Sequence, residues 1–484
     1  MSDISELRRQ FNEGHWKKFI KSIKINNLHG WNGQTINFNF PICAIVGENG
    51  IGKSTFVKAA ACAYQNIGMQ TFYPSKMFVK TQWDSHAIDN AYIEYNILEG
   101  TNTRNTHWKK TNDWGFTPKK NKPKRKVYFL DVSRTLPLDA TAGYAKIAKQ
   151  SVAESGNVEL NEESIHALSY VMGKNYSAAR FANTEIDSTK DVGILTNSFG
   201  EVSQFHQGAG EDATLDLFKI LQEIPEQSLL LIDEVEASLH PMAQRRLIKY
   251  LIKLARVKKL QIILSTHSAY VLEEIPEEGR IMLIQLQDRK DILYNVSTKF
   301  ALSEIDDKIH PELFVFVEDD EAVTLVNQII KMTDSTNMML NRISVKAIGS
   351  YTVVNTVGQL LKENKLPYKG IAIVDGDKYE ECKNNCFGLP GEIAPERHVF
   401  EELKAINWNN LDSRFGMGAG SLFKIFEQAM LLPDHHKWTE FIGDQIKYSK
   451  DTVWLVMVEE WCKQCLSTDD REKLYNHIIT ALNE

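Results

Sequence analysis

The chain has 484 residues, 43% hydrophobic and 25% charged, enough for two or three domains that each bury a core. Its longest apolar runs are strand-sized, far short of the roughly 20 residues that cross a bilayer, and residues 1–18 carry both charge signs without an apolar stretch, so neither membrane spanning nor secretion is expected. The 56 basic and 63 acidic side chains leave a net charge of −7, which still permits nucleic-acid binding through a local basic surface, and the six cysteines, scattered or paired late, suit a reducing cytoplasm.

Residues 19–40 alternate around Ile23, Ile25 and Leu28, then Ile36 and Phe38, and predict a hairpin. The apolar run 42–46 is a buried strand in pattern. Gly47, Glu48, Asn49, Gly50, Ile51, Gly52, Lys53 and Ser54 then fit G-x-x-x-x-G-K-[ST], with Thr55 following. Glycines at those positions let the backbone turn its N–H groups toward a di- or triphosphate; Lys53 reaches the β- and γ-phosphates and Ser54 can ligand Mg²⁺. The helix expected after this loop points its positive end at the same anion.

Residues 89–98 read as a further strand, and residues 119–126, with six basic side chains and no apolar periodicity, as an exposed loop able to follow a phosphate backbone. Residues 127–132 return to strand, and 140–171 read as mostly helical, an insertion over about 135–190. Gln207-Gly208-Ala-Gly210-Glu211 opens an amphipathic helix, and its glycines expose N–H groups suited to a γ-phosphate. Residues 229–232 form a strand ending in Asp233 and Glu234: one carboxylate for the Mg²⁺ shell, one to orient the attacking water. The next strand, 260–264, leads to His267.

In this order the residues resemble the ABC-type ATPases of the SMC and OLD (overcoming lysogenization defect) superfamily. The resemblance makes 47–54 the Walker A motif, 229–234 Walker B, 236–241 the D-loop and His267 the switch histidine. Gly208, Gly210 and Glu211 sit where the signature belongs, departing from Leu-Ser-Gly-Gly-Gln. It implies ATP and Mg²⁺ as cofactors and a homo-oligomer, at least a dimer, in which one subunit's signature completes another's ATP site. Gln82 and Gln150 are the Q-loop candidates.

After residue 310 a second alternating α/β pattern begins. Glu318 follows strand 313–317, and Asp375 and Asp377 follow strand 370–374. In a parallel sheet these ends lie side by side, so three carboxylates can converge on divalent metal and serve a phosphodiester displacement. The pair resembles the TOPRIM fold, and TOPRIM behind an ABC ATPase is the OLD nuclease arrangement, found among bacterial anti-phage systems. Glu318-Asp319 departs from the family's Glu-Gly, and the added acids Asp319, Asp320 and Glu321 offer further ligands. Glu396 is assigned a supporting role.

The fold expected is therefore α/β: an ABC-type ATPase with a helical insertion (1–305), a TOPRIM-like α/β domain (308–410) and a C-terminal helical module (411–484). The expected function is an ATPase with a Mg²⁺- or Mn²⁺-dependent DNA endonuclease domain, cytoplasmic, acting on phage or plasmid DNA without a membrane. Its rival is an ATPase regulator whose TOPRIM-like domain does not cut and serves a separately encoded defence partner. Cys382 with Cys386, Cys462 with Cys465 and the pair His435-His436 are noted as zinc-ligand types, though helical packing accounts for the cysteines, and capping or packing near Trp438 for the histidines.

Overall fold

Ile42–Gly47, Leu229–Ile232 and Gln261–Thr266 are buried at every position, as strands covered on both faces must be. They form the middle of a six-stranded sheet whose order is Arg289–Tyr294, Arg280–Leu286, Ile42–Gly47, Gln261–Thr266, Leu229–Ile232 and Val127–Leu130. The first pair is antiparallel and the rest are parallel. Val46 pairs with Thr266, and Ile232 with both Leu264 and Leu130, so the carboxyl ends of these strands lie abreast. In a parallel sheet that edge is where ligands collect.

The computed structural model describes residues 2–83, 88–135, 154–184, 187–286, 289–306, 308, 310–334 and 338–484. Two compact units divide the chain, Met1–Ile305 and Asp306–Glu484. Among the described residues no helix is long and apolar enough to cross a membrane.

In the first unit a five-stranded antiparallel sheet, in the order Trp31–Asn37, Lys18–Leu28, Tyr92–Glu99, Asn102–Lys110 and Trp114–Thr117, accompanies the parallel one. It covers the carboxyl end of the helix Lys53–Ala61: Tyr95 Oη donates to Ala59 O at 2.8 Å and Trp108 Nε1 to Cys62 O at 3.0 Å. Helix-end carbonyls have no partner within the helix, so these two bonds fix the helix against the sheet.

Two expectations need correction here. In its described part the insertion is not mainly helical: Glu154–Glu159, Ala178–Thr184 and the start of Asp187–Asn197 belong to a four-stranded antiparallel sheet completed by Gly200–Ser203, with one helix, Glu162–Met172. Asn161 caps that helix by accepting from Ser164 N, and Gly173, at φ 67°, ends it. After the second of those stops Ala179 and Phe181, two apart, are buried on one face of their strand. The helix expected over 140–153 lies outside the described residues, as does Gln150; Gln82 is exposed.

The basic run 119–126 is not simply a solvated loop. Arg125 is fully buried and donates to Gln227 O, Ser228 O and Gln261 Oε1, while Lys122 lies 4.6–5.3 Å from the ring centres of Trp108, Phe116 and Tyr73. Lys122 Nζ has no hydrogen-bond partner, and burial pushes its pKa down to about 8. Of the six basic residues, Lys119, Lys120 and Lys124 are exposed.

The second unit is built on a parallel sheet in the order Ile343–Ala347, Leu313–Val317, Gly370–Val374 and Phe387–Gly388. Buried residues of the helix Asp320–Thr333 share one core with those of later helices, from Val399 and Phe400 through Trp438 and Trp454 to Ile478 and Leu482. The cysteines are all free; Cys382 and Cys386 pack with Val354, Ala372 and Val374.

Candidate functional site

The phosphate-loop residues cluster at the end of strand Ile42–Gly47. Glu48, Asn49 and Gly50 are exposed, whereas Ile51, Lys53 and Thr55 are buried. Gly52 has φ 112°, and a Cβ there would fall 2.4 Å from Trp31 Nε1, so this position admits glycine alone. Lys53 Nζ folds back to donate to Gly47 O and Glu48 O, both at 2.9 Å. Burial lowers its pKa, against the pull of Glu234, Glu236 and Asp233, so the ammonium stands among the carboxylates of the neighbouring strand end.

Ser54 Oγ donates to Asp233 Oδ1 at 3.1 Å, joining the two groups expected to share a Mg²⁺ shell. Ser265 Oγ donates to the same oxygen and accepts from Glu234 N at 2.8 Å, so one hydroxyl holds both acidic residues. Glu234 itself has φ 51°, a left-handed turn that aims its side chain out of the strand direction. Arg134 completes the arrangement by donating to Asp233 O and Glu234 O, each at 2.7 Å, and to Asp131 O. The donors around this pair fit a Mg²⁺–triphosphate: a hydroxyl beside a carboxylate, a buried lysine and an exposed glycine loop.

His267 follows the next strand, and its N–H is held by Glu236 Oε1. Burial, then Lys53, lowers the imidazole pKa, which keeps it neutral. Glu236 Oε2 is buried without a partner, and burial raises that carboxyl's pKa. Gly208 caps the helix Ala209–Glu223, and a Cβ on Gly210 would meet Ser238 O at 2.3 Å, so the helix start lies directly on the 236–241 backbone. Glu211 is held by Lys174 at 2.8 Å and by Tyr176 Oη. These contacts of Gly210 and Glu211 are not with the phosphate loop.

Three supports of the loop are invisible in its own pattern. His29 Nδ1 is 3.1 Å from Thr55 Oγ1; Lys290 Nζ donates to His29 O and Ile51 O; and Trp31, fully buried, has an indole N–H without a partner. Arg134 belongs with them. Its sequence offers a single clue, a position just past the strand that pairs with Leu229–Ile232.

In the second unit, parallel pairing brings together the strand ends that carry Glu318 and Asp375. Glu318 Oε1 accepts from Asp375 N at 3.0 Å. Asp375 is 9% exposed, its Oδ1 has no partner, and burial together with Glu318, Asp319, Glu396 and Asp377 pushes its pKa up to about 8. Asp377 is exposed, 3.4 Å from Lys378 Nζ. An orphaned oxygen in a group of mutually repelling carboxyls fits a divalent cation. Two of the three added acids are otherwise employed. Asp319 Oδ1 caps the helix Asp320–Thr333 by accepting from Ala322 N, and Glu321 lies 3.6 Å from Lys450 Nζ.

Glu396, 2% exposed, accepts a 2.7 Å hydrogen bond at Oε1 from His436 Nδ1, with His435 Nε2 3.9 Å from Oε2. The histidines thus meet a carboxylate and not the cysteines.

Residues 215–272 match the family model described as an AAA ATPase domain, a span that holds Asp233, Glu234 and His267. The first unit therefore contains an ATPase domain. Among individual proteins, the chain is 23% identical over 303 residues to the Septu protein PtuA of Bacillus thuringiensis, covering 52% of this chain and 73% of that one. Solved structures with some likeness include the SMC head domain from Thermotoga maritima, at 13% identity, 57% of this chain, 98% of that chain and TM-score 0.34. The recombination mediator protein RecF with ATPrS gives 12%, 57%, 98% and 0.36. Overlaps of that depth do not define a fold by themselves.

Proposed function

We propose that the protein couples ATP binding and hydrolysis in its first unit to metal-dependent cleavage of DNA by its second, in defence against phage. The nuclease half of this reading is carried by one observation: Asp375 Oδ1 is buried and unpartnered beside Glu318, at adjacent ends of a parallel sheet. Glu318, Asp375 and Asp377 would hold Mg²⁺ or Mn²⁺, which would neutralise charge developing on a phosphodiester. Around that ion, Glu318 orients the Asp375 backbone, and Lys378 stands beside Asp377 as a cation for a phosphate oxygen.

The ATPase half is supported by the ATPase-domain match and by the cluster of Lys53, Ser54, Asp233 and Glu234. Gly208, Gly210 and Glu211 face other partners than their own phosphate loop, which favours a dimer in which they serve a second copy's ATP. Likeness to a Septu protein favours the defence setting.

The decisive experiment measures ATP turnover and plasmid nicking side by side. Glu318→Ala and Asp375→Ala should each abolish nicking while ATP turnover stays near parental. Asp377→Ala should do the same, and because Asp319 and Glu321 are engaged elsewhere neither of them should rescue it. A parent that does not nick with either Mg²⁺ or Mn²⁺, or variants that nick as it does, would refute the nuclease. The second unit would then be a platform for a separately encoded partner.

A further inference from the structure

The carboxylate cluster is not the only place in the second unit where ligand atoms converge. Among the described residues, Glu396, His435 and His436 form a group whose donor atoms all lie within 4.8 Å of one another. Two separate pieces of chain build it. Glu396 sits in the first turn of the helix Pro395–Ala405, and the histidines come from the single turn His435–Lys437, itself pinned because Asp434 accepts from His436 N. Trp438 fixes the far side of that turn by donating its indole N–H to Leu432 O at 3.0 Å.

A carboxylate that is 2% exposed is costly unless it is paired. Glu396 takes a side-chain hydrogen bond from His436 Nδ1 at 2.7 Å, and a second imidazole nitrogen, on His435, is too far at 3.9 Å to bond. The two rings lie with centres 4.1 Å apart, so both nitrogens converge on the carboxylate from one side. Donors bound to one tetrahedral ion at about 2.1 Å stand roughly 3.4 Å apart, a spacing between the 2.7 Å and 3.9 Å seen here. An ion would take the place of the proton now shared by Glu396 and His436.

We propose that Glu396, His435 and His436 form a site for a borderline-soft divalent metal, of the zinc or cobalt class, chemically distinct from the oxygen-only cluster of Glu318, Asp375 and Asp377. Imidazole selects such ions over Mg²⁺, whereas carboxylates alone suit Mg²⁺. Three protein donors leave coordination positions free, and the His436 side chain is 57% exposed, so the open side faces solvent. That is the pattern of a site that admits water or a phosphate oxygen, and not of a closed structural one.

The test uses the full chain, stripped with chelator and titrated with Co²⁺ in excess Mg²⁺, with no DNA or ATP present. Visible d–d absorption and calorimetry should report one equivalent bound. His436→Asn, which keeps an amide N–H able to donate to Glu396, should weaken Co²⁺ by about 10-fold to 100-fold or more, the loss that even changes outside the ligand set produce. His435→Asn should do likewise, and Glu318→Gln should bind Co²⁺ as the parent does. No binding in excess Mg²⁺, or binding that survives both histidine substitutions, overturns the proposal. So does loss confined to Glu318→Gln, which assigns the ion to the carboxylates. Because the readout contains no cleavage, its outcome is separate from that of the nuclease experiment.

Discussion

Asp233 Oδ1 takes hydrogen bonds from Ser54 and Ser265, and Glu234 is held at its N–H by Ser265 and at its carbonyl by Arg134. Each of these bonds fixes where a carboxylate points before nucleotide arrives. If Glu234 orients the water, Glu234→Gln should bind ATP and hydrolyse it roughly 10²–10⁴-fold more slowly; parental turnover in a phosphate-release assay would overturn that role. Arg134 acts through the backbone of both acids. Arg134→Ala should lower the turnover number while leaving the ATP dissociation constant within a few-fold, whereas Lys53→Ala should weaken ATP itself. A filter-binding titration beside the rate assay separates the three. None of Arg134, His29 or Lys290 is legible in the sequence, since each reaches the site from far along the chain. The loop and the acid pair are legible because their chemistry is written in consecutive residues.

At the scale of elements, the helix Ala209–Glu223 carries Asp212 and Asp216 one turn apart, both beside Gln204. Burial and then Asp212 push Asp216 up to about 7. In the window between an ordinary aspartate pKa and about 7 the folded protein holds a proton that the unfolded chain has released. Stability contributed by this group is therefore full at low pH, declines as pH rises through that window and is gone above about 7. Asp216→Asn should flatten that part of the Tm-against-pH curve and raise Tm at pH 8; an unaltered curve would show that Asp216 is ionised throughout. The basic run 119–126 splits by the same reasoning. Lys119, Lys120 and Lys124 are placed to meet phosphates, and replacing them by Ser should reduce the log–log salt slope of duplex binding by about 0.9 for each phosphate they had neutralised. Arg125→Ala should instead destabilise the first unit by about 1–3 kcal/mol, since Gln227 O loses its donor while Ser228 O and Gln261 Oε1 keep Gln261 N and Ile20 N. Counting charges cannot separate these roles, because burial is decided by Gln227, Ser228 and Gln261, a hundred and more residues away. The insertion misleads for a related reason: polar, turn-rich strands carry a weak period, and the one well-capped helix within it, Glu162–Met172, stands for the whole.

On the scale of the molecule, two units each close their own core, and in the second the sheet-flanking helix and the last helices share one. Residues 1–305 and 306–484 expressed separately should each melt cooperatively, and the first should still bind ATP. Ending the chain at 410 should leave a second unit that shows no cooperative melt, because Trp438, Trp454 and Ile478 are removed from its core. A cooperative transition in that shorter chain would show that the sheet closes a core without them. The meeting of Glu396 with His435 and His436 belongs to this scale too: the residues are some forty apart, and only the packing of the later helices brings them together.

Trp31 is one of nine tryptophans, and its indole nitrogen lies against the glycine that precedes Lys53. Its N–H has no partner and its ring meets Phe56, the third residue after Lys53, at 4.9 Å. Phosphates drawn into the loop would change the field at that chromophore without touching it. The protein thus carries its own optical gauge of occupancy. Intrinsic emission should shift when ATP is added to the parent, the shift should vanish in Trp31→Phe, and nucleotide arrival could be followed in real time with no label attached.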